Sequence, residues 1–144
     1  MRPVAKQYKI GLGWNVPYPP ELAHITEDGK HHGVDFLTPK GIPVIASANG
    51  IVNFTGWKRG YGWCVYIKFW QGWRFSRRTF RVILAHLSII NLNLIVGRKI
   101  LKWDKIGESG NSGMATGPHL HAEVQELKDN RWIPVNPDFL FGEA

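Results

Sequence analysis

The chain has 144 residues, a formal net charge of +7 and a pI near 9.8. Its single cysteine excludes an intrachain disulfide, and no uninterrupted apolar run is long enough to span a bilayer. A surface this basic attracts polyanions, whether nucleic acid, acidic lipid or the anionic polymers of a cell envelope. We expect one domain over residues 1–144, in which residues 1–30 form an irregular lead-in.

The composition favours short strands joined by tight turns. Glycine occurs 16 times, proline 9 times and tryptophan 7 times, and no long stretch shows apolar residues at helical spacing. Residues 11–20 combine turn formers with aromatic rings and are expected to wrap over a sheet or line a groove. Residues 42–46 and 51–55 are predicted strands, which Asn49 and Gly50 would join as a two-residue hairpin turn.

An early histidine and aspartate form the first candidate pair of metal ligands. His31 and Asp35 are four residues apart, so they share a face of an extended strand, and Gly33 between them leaves space for an ion. One imidazole and one carboxylate can supply two ligands to zinc. His32 has the opposite parity and is expected to point away. The spacing by itself is a weak signal.

Two more histidines follow a Gly-Pro turn near the end of the chain. If the backbone is extended from Pro118 onwards, His119, His121 and Glu123 lie on one face, and the apolar residues between them face a core. Two imidazoles on one face indicate a shared metal ion or a shared substrate. An incidental polar strand face is the alternative.

Two further stretches have more than one interpretation. His86 lies within an apolar strand, residues 82–88, and it becomes a site candidate only because the other histidines need a partner. Four arginines follow residue 73 among aromatic rings, a composition typical of a nucleic-acid-binding patch. A solvated hairpin tip and a contact surface for an anionic envelope polymer are the alternatives. These arginines are Arg74, Arg77, Arg78 and Arg81.

Taken in order, the motifs closely resemble those of the M23 zinc metallopeptidases, the lysostaphin and LytM-like family. The motifs are His-x-Gly-x-Asp, Gly-x-Pro-Val-x-Ala, Ala-His-Leu-Ser and Gly-Asn-Ser-Gly-x-x-Thr-Gly-Pro-His-Leu-His-x-Glu-Val. The resemblance runs from His31 to Glu123. It implies an all-β fold, namely a compact antiparallel β-sheet domain with a metal-binding groove. It also implies cleavage of peptide cross-bridges or stems in bacterial peptidoglycan.

The same resemblance implies a role for each histidine of the motifs. His31, Asp35 and His121 would hold one zinc ion, and His86 and His119 would be the catalytic histidines. Three protein ligands leave one coordination position open, as catalytic zinc requires. Which of the two histidines acts as the general base stays open.

Three neighbouring positions complete this interpretation. Glu123 either orients a zinc ligand from behind or has a solvent-facing structural role. Leu84 stands where the family often has tyrosine, and Ala122 where it often has an aromatic residue. We expect these two departures to affect groove packing or substrate contacts and to leave the metal ligands unchanged.

The basic charge suits an enzyme that is drawn to an anionic bacterial envelope. The predicted partner is peptidoglycan, with anionic envelope polymers as a further partner, no nucleic acid, and action as a monomer. Since the first residues lack the apolar segment of a signal peptide, we expect synthesis in the host cytoplasm and release to the cell wall at lysis, as for a phage endolysin. The rival interpretations are a catalytically inactive M23-like scaffold and a basic nucleic-acid-binding β domain.

Overall fold

The computed structural model describes residues 1–142, and its strands form one nine-stranded sheet in which every pairing is antiparallel. The strands are β1 (Val34–Phe36), β2 (Pro43–Ile45), β3 (Gly50–Lys58), β4 (Gly62–Gln71), β5 (Arg78–Ile90), β6 (Lys99–Ile100), β7 (Lys105–Ser109), β8 (Leu120–Lys128) and β9 (Arg131–Val135). The main path runs β1-β8-β5-β4-β3-β6, β9 lies against β8, and β7 joins β5 to β2. The predicted all-β antiparallel fold is confirmed.

Helical structure is short and peripheral. Two 3-10 turns cover Pro20–Ile25 and Arg74–Ser76, and a single α-helical turn, α1, covers Asp138–Phe141. None of the helices within residues 1–142 is long and apolar enough to cross a membrane.

The lead-in, residues 1–30, runs beside β1 and carries no strand longer than an isolated bridge. Its backbone bonds to β1 and to the approach to β1, because the Gly11 N–H donates to the Asp35 carbonyl and the Asn15 N–H donates to the His31 carbonyl. The N–H of His31 in turn donates to the carbonyl of Val16. Residues 11–20 thus lie along the edge of the sheet beside β1, where they hold the segment that precedes it.

Side chains alternate along the central strands, so the sheet has two distinct faces. The core face carries Leu120, Ala122 and Val124, which are fully buried within the main hydrophobic cluster. The opposite face, called the site face below, carries His121 and Glu123 and a smaller buried cluster. The members of that cluster are Cys64, Tyr66, Ile83 and Ala85. Cys64 is thus the buried thiol expected from an apolar strand, and burial raises its pKa to about 11.

The predicted hairpin at Asn49 and Gly50 is wrong. Residues 42–46 do contribute a strand, but β2 pairs with β7, whereas β3 pairs with β4 and β6. Asn49 accepts a hydrogen bond from the Lys102 N–H through its side chain, which ties the β2–β3 corner to the loop before β7. Gly50 is needed for close approach, because a Cβ there would lie 2.4 Å from the Lys68 carbonyl oxygen.

The two departures from the family pattern lie in the core and do not line a groove. Leu84 and Ala122 both lie on the core face, are 0% exposed to solvent, and are direct cross-strand partners. Because they face each other in a close-packed core, their side chains share one volume and do not reach a substrate. The expectation of groove or substrate contacts at these positions is corrected accordingly.

Candidate metal centre

Three predicted ligands meet on the site face. Asp35 on β1 is the cross-strand partner of His121 on β8, and His31 reaches the same point from the segment before β1. The Nε2 of His31 lies 3.1 Å from the Asp35 Oδ1 and 3.1 Å from the His121 Nδ1, which is 3.0 Å from the same oxygen. Ligands of a tetrahedral zinc ion at about 2.0–2.1 Å lie roughly 3.3 Å apart. This near-equilateral triangle of two nitrogens and one oxygen therefore fits a single zinc ion.

The far side of each ligand ring is held by the protein. The Nδ1–H of His31 donates to the Gly13 carbonyl at 2.9 Å, which leaves Nε2 with its lone pair facing the triangle. His121 is turned the other way, because its Nε2 lies 3.0 Å from the Glu123 carboxylate and its Nδ1 faces the triangle. Partners behind metal-binding histidines fix the tautomer and increase the basicity of the ligand.

Hydrogen bonds within this cluster shift the pKa values of His121 and Asp35 in opposite directions. Burial acts to lower the pKa of His121, but hydrogen bonds to Asp35 and Glu123 outweigh burial and raise that pKa to about 9. Burial acts in the opposite sense on Asp35, yet hydrogen bonds from His121 and His31 bring the pKa of the carboxyl well below its usual range. A zinc ion bound here would be held by His31, Asp35 and His121, and the carboxylates of Asp35 and Glu123 would offset its positive charge.

Gly33 lies in close contact with strand β8, in addition to the predicted role of leaving space for an ion. A Cβ at this position would lie 2.6 Å from the Ala122 carbonyl oxygen and 2.7 Å from the His121 Cε1, distances that real Cβ atoms essentially never show. Gly33 thus leaves space for strand β8 and for the ring of His121. The glycine allows His31 and Asp35 to close around His121.

The two predicted catalytic histidines lie beside the triangle. The ring centroids of His86 and His119 are 4.8 Å apart, and the His119 Nε2 is 3.8 Å from the Asp35 Oδ1. The Nδ1–H of His86 donates to the Ser112 carbonyl at 2.7 Å, and that of His119 donates to the Gly117 carbonyl at 2.8 Å. Each ring therefore keeps Nε2 free. Burial, followed by the nearby His121 and His119, lowers the pKa of His86 to about 4, so this ring is neutral at pH 7.

The backbone of His86 has an unusual conformation. Its φ is +61°, in the left-handed region that side chains other than glycine rarely adopt, and its N–H donates to the Tyr61 carbonyl. The pairing of β5 with β4 shifts register between Leu84 and Leu87, across His86, and its pairing with β7 shifts between Leu87 and Ile89. Such local strain persists only where surrounding contacts hold it, and it is concentrated at functional sites.

Four residues of this centre had no assigned role in the sequence. Ser112 donates through Oγ to the Leu87 carbonyl and accepts from the Trp63 N–H, so it holds the carbonyl that orients His86. Tyr61 stacks on His121 and donates to Glu123 at 2.9 Å. Gly13 orients His31, and Tyr18 packs edge-on to the same ring at 5.7 Å. The Gly-Asn-Ser-Gly motif was the available signal for Ser112, whereas the others come from distant segments without a local pattern.

The remaining sequence candidates are resolved by their surroundings. Glu123 is 3% exposed, so the solvent-facing alternative is wrong and the glutamate lies behind His121. His32 points away as expected and contacts Asp28 at 2.9 Å. The four arginines do not form one patch, because Arg78 lies on the core-face side of β5 and makes a bidentate ion pair with Glu126.

Comparisons with known proteins agree with this geometry. The sequence profile of peptidase family M23 matches residues 29–137. The DD-carboxypeptidase/endopeptidase Mpg of Neisseria meningitidis is 36% identical over 107 residues, which cover 74% of this chain and 22% of that protein. The glycyl-glycine endopeptidase ALE-1 of Staphylococcus capitis is 35% identical over 114 residues, which cover 79% of this chain and 28% of that protein.

A solved structure gives the same result for the fold. The catalytic domain of the antimicrobial peptidase lysostaphin from Staphylococcus simulans superposes with a TM-score of 0.73 at 29% identity, covering 94% of this chain and 93% of that domain. The chain spans less than a third of the length of the two curated relatives described above. Profile, relatives and superposition agree, and this chain belongs to peptidase family M23.

Proposed function

We propose that this chain is a zinc-dependent endopeptidase that hydrolyses peptide bonds in bacterial peptidoglycan. The observation that carries the proposal is the convergence of His31, Asp35 and His121 within 3.0–3.1 Å, with two further histidines alongside. The names of the relatives support the substrate, since one acts as a DD-endopeptidase and another on glycyl-glycine bonds. Three protein ligands are typical of catalytic zinc, whereas structural zinc is closed by four.

In this proposal His31, Asp35 and His121 hold the ion. When bound, zinc acts as a Lewis acid and lowers the pKa of a coordinated water to about 7. His86 and His119 both present a free Nε2 beside the triangle, so either ring can accept a proton from the nucleophile and return it to the leaving amine. A ring in its protonated form can also donate to the oxyanion that develops on the peptide carbonyl.

The place of action in this proposal is the bacterial cell wall, and the chain acts there as a monomer. Its net charge of +7 supports a second contact with anionic envelope polymers, because opposite charges raise the local concentration of enzyme at the wall.

Two histidine variants test the assignment. His121→Ala is expected to lose both zinc and activity, whereas His119→Ala keeps zinc and loses turnover by roughly 10²–10⁴-fold. Zinc content is measured by elemental analysis, and turnover by the release of fragments from purified cell walls. Chelation is expected to abolish turnover of the wild-type protein, and added zinc to restore it. Full activity in either variant would contradict the assignment.

A further inference from the structure

The site face continues beyond the metal centre as a row of cations. Arg81 on β5 is the cross-strand partner of Gln125 on β8 and also of Lys68 on β4. Gln125 is four residues from His121 on the same face, so this part of the row begins about 13 Å from the metal centre. Arg77 joins the row through Trp70, on which its guanidinium lies at 5.0 Å.

Arg81 is held in a fixed orientation. Its guanidinium lies 4.4 Å from the ring centroid of Trp132 and 4.8 Å from that of Tyr66, and its Nε donates to the Gln125 side chain. Stacking between two rings fixes the plane of the guanidinium and leaves its outer N–H groups at the edge. That edge has the geometry that binds a carboxylate with two parallel hydrogen bonds.

No carboxylate of residues 1–142 forms an ion pair with this row. Among residues 1–142, no ion pair involves Lys68, Arg77 or Arg81. The acids on the strands of the site face are Asp35 and Glu123, and both contact His121. Arg78, on the opposite face of β5, differs from these three cations because it forms an ion pair with Glu126. Arg81 is half-buried and oriented, and the charge of Glu123 attracts it without forming an ion pair with it. Its outer N–H groups are therefore suited to an anionic ligand.

Arg81 is also connected to the metal centre. Gln125 accepts from Arg81 and donates to Glu123, and Glu123 contacts the outer nitrogen of His121. A ligand seated on Arg81 therefore lies on the same face as the proposed reaction and at the end of a continuous chain of hydrogen bonds.

We propose that Arg81, with Lys68 and Arg77, binds a free carboxylate of the substrate and so selects stem peptides over glycine bridges. This inference rests on the proposed function, whose peptide substrate it specifies. Stem peptides carry free carboxylates along their length, whereas a glycine bridge is uncharged between its ends. An extended peptide that passes over the metal centre reaches Arg81 within about four residues.

Three defined substrates test this selection with the zinc-loaded full chain. They are a cross-linked stem-peptide dimer with free carboxylates, the same dimer with those carboxylates amidated, and a pentaglycine peptide with blocked ends. The wild-type protein is expected to cleave the first with a kcat/KM at least about tenfold above the other two, since a charge-assisted bidentate contact has that magnitude. Added salt is expected to reduce the difference.

The variants separate charge recognition from general effects. Arg81→Gln is expected to lose the preference through KM with little change in kcat, and Arg81→Lys to keep part of it. The double variant Lys68→Gln/Arg77→Gln, at one half-buried and one exposed position, gives a smaller loss and does not depend on Arg81 tolerating substitution. Lys6→Gln/Lys102→Gln removes the same net charge from exposed positions elsewhere and is expected to leave all three rates unchanged.

The outcomes distinguish this inference from the function on which it rests. Equal cleavage of the free and amidated dimers, preferred cleavage of pentaglycine, or full preference in a folded Arg81→Gln variant would overturn the selection while the endopeptidase assignment stands. Failure of the zinc-loaded wild-type protein to cleave any of the three substrates would overturn the proposed function itself.

Discussion

The two faces of β8 are both buried but are stabilised by different interactions. Leu120, Ala122 and Val124 are 0% exposed and contact apolar neighbours, while His121 and Glu123 on the other face are 7% and 3% exposed. The apolar face gains free energy from removing hydrocarbon from water. The polar face instead depends on hydrogen bonds that satisfy every buried charge, and leaving one unsatisfied is costly.

This comparison shows that burial alone does not distinguish a core from a site. Glu123 is as inaccessible as many core residues, but it contacts Tyr61, Gln125 and His121. A substitution on the core face should therefore change folding, whereas one on the site face should change metal binding more than folding. Four variants test this distinction, and the one expected to have the largest effect comes first.

Leu120→Ala removes a fully buried side chain from the core face. We expect the free energy of unfolding to fall by about 2–5 kcal/mol, because a cavity remains where the side chain was, while the folded fraction still binds one zinc ion. Urea unfolding and zinc titration measure the two effects. Leu92→Ala is the control, since Leu92 is 96% exposed and should change stability by less than about 0.5 kcal/mol. Loss of zinc stoichiometry in folded Leu120→Ala would contradict the separation of the two faces.

Gly33→Ala forces strand β1 away from the His121 ring. The added methyl would lie 2.6 Å from the Ala122 carbonyl oxygen, and such overpacking costs about 1–3 kcal/mol. We expect lower stability together with weaker zinc binding, measured by thermal unfolding with and without zinc. Gly13→Ala is matched to it, because the nearest atom to a Cβ there is the Val16 Cγ2 at 3.8 Å. Equal behaviour of the two variants would show that close approach at Gly33 is unimportant.

Glu123→Gln replaces the carboxylate behind His121 by a neutral group of the same shape. We expect the affinity for zinc to fall by roughly 10–100-fold, since partners behind metal ligands contribute on that scale. Competition with a chromophoric chelator measures it. Glu126→Gln on the core-face side of the same strand removes the partner of Arg78 and should leave zinc affinity unchanged. An unchanged affinity in Glu123→Gln would refute its role in orienting His121.

Tyr61→Phe tests a single hydrogen bond of the site face. The hydroxyl donates to Glu123 at 2.9 Å, so its removal should cost about 1 kcal/mol of stability and weaken zinc binding only a few-fold. Thermal unfolding and the same chelator competition measure both effects. Tyr66→Phe is the control, because within residues 1–142 the tyrosine bonded to Glu123 is Tyr61. An equal or larger effect in the control would show that the Tyr61–Glu123 hydrogen bond does not account for the stabilisation.

Local alternation carried much of the sequence-based prediction. Alternation along residues 119–124 predicts His121 and Glu123 on one face and the apolar residues between them on the other. The structure shows this arrangement. Spacing also brought His31 and Asp35 together, although His31 lies before β1 and not within it. These features are predictable because they depend only on neighbouring residues and on backbone geometry.

Strand pairing and distant contacts were decided by the tertiary structure. Asn49 and Gly50 have the composition of a hairpin turn, but the partners of β2 and β3 lie elsewhere in the chain. Arg78 and Arg81 belong to one arginine-rich segment, yet one faces Glu126 and the other lies between two aromatic rings on the opposite face.

The sequence by itself determined the antiparallel β class, the faces of the histidine strand and, through the order of its motifs, the residues that meet at the metal centre. The tertiary structure alone decided what stands behind each of them: Gly13 for His31, Ser112 for His86, and Glu123 with Tyr61 for His121. The physical reason is sequence separation. A side chain's face follows from the residues next to it, whereas its hydrogen-bond partner is supplied by whichever distant segment the packed sheet brings alongside.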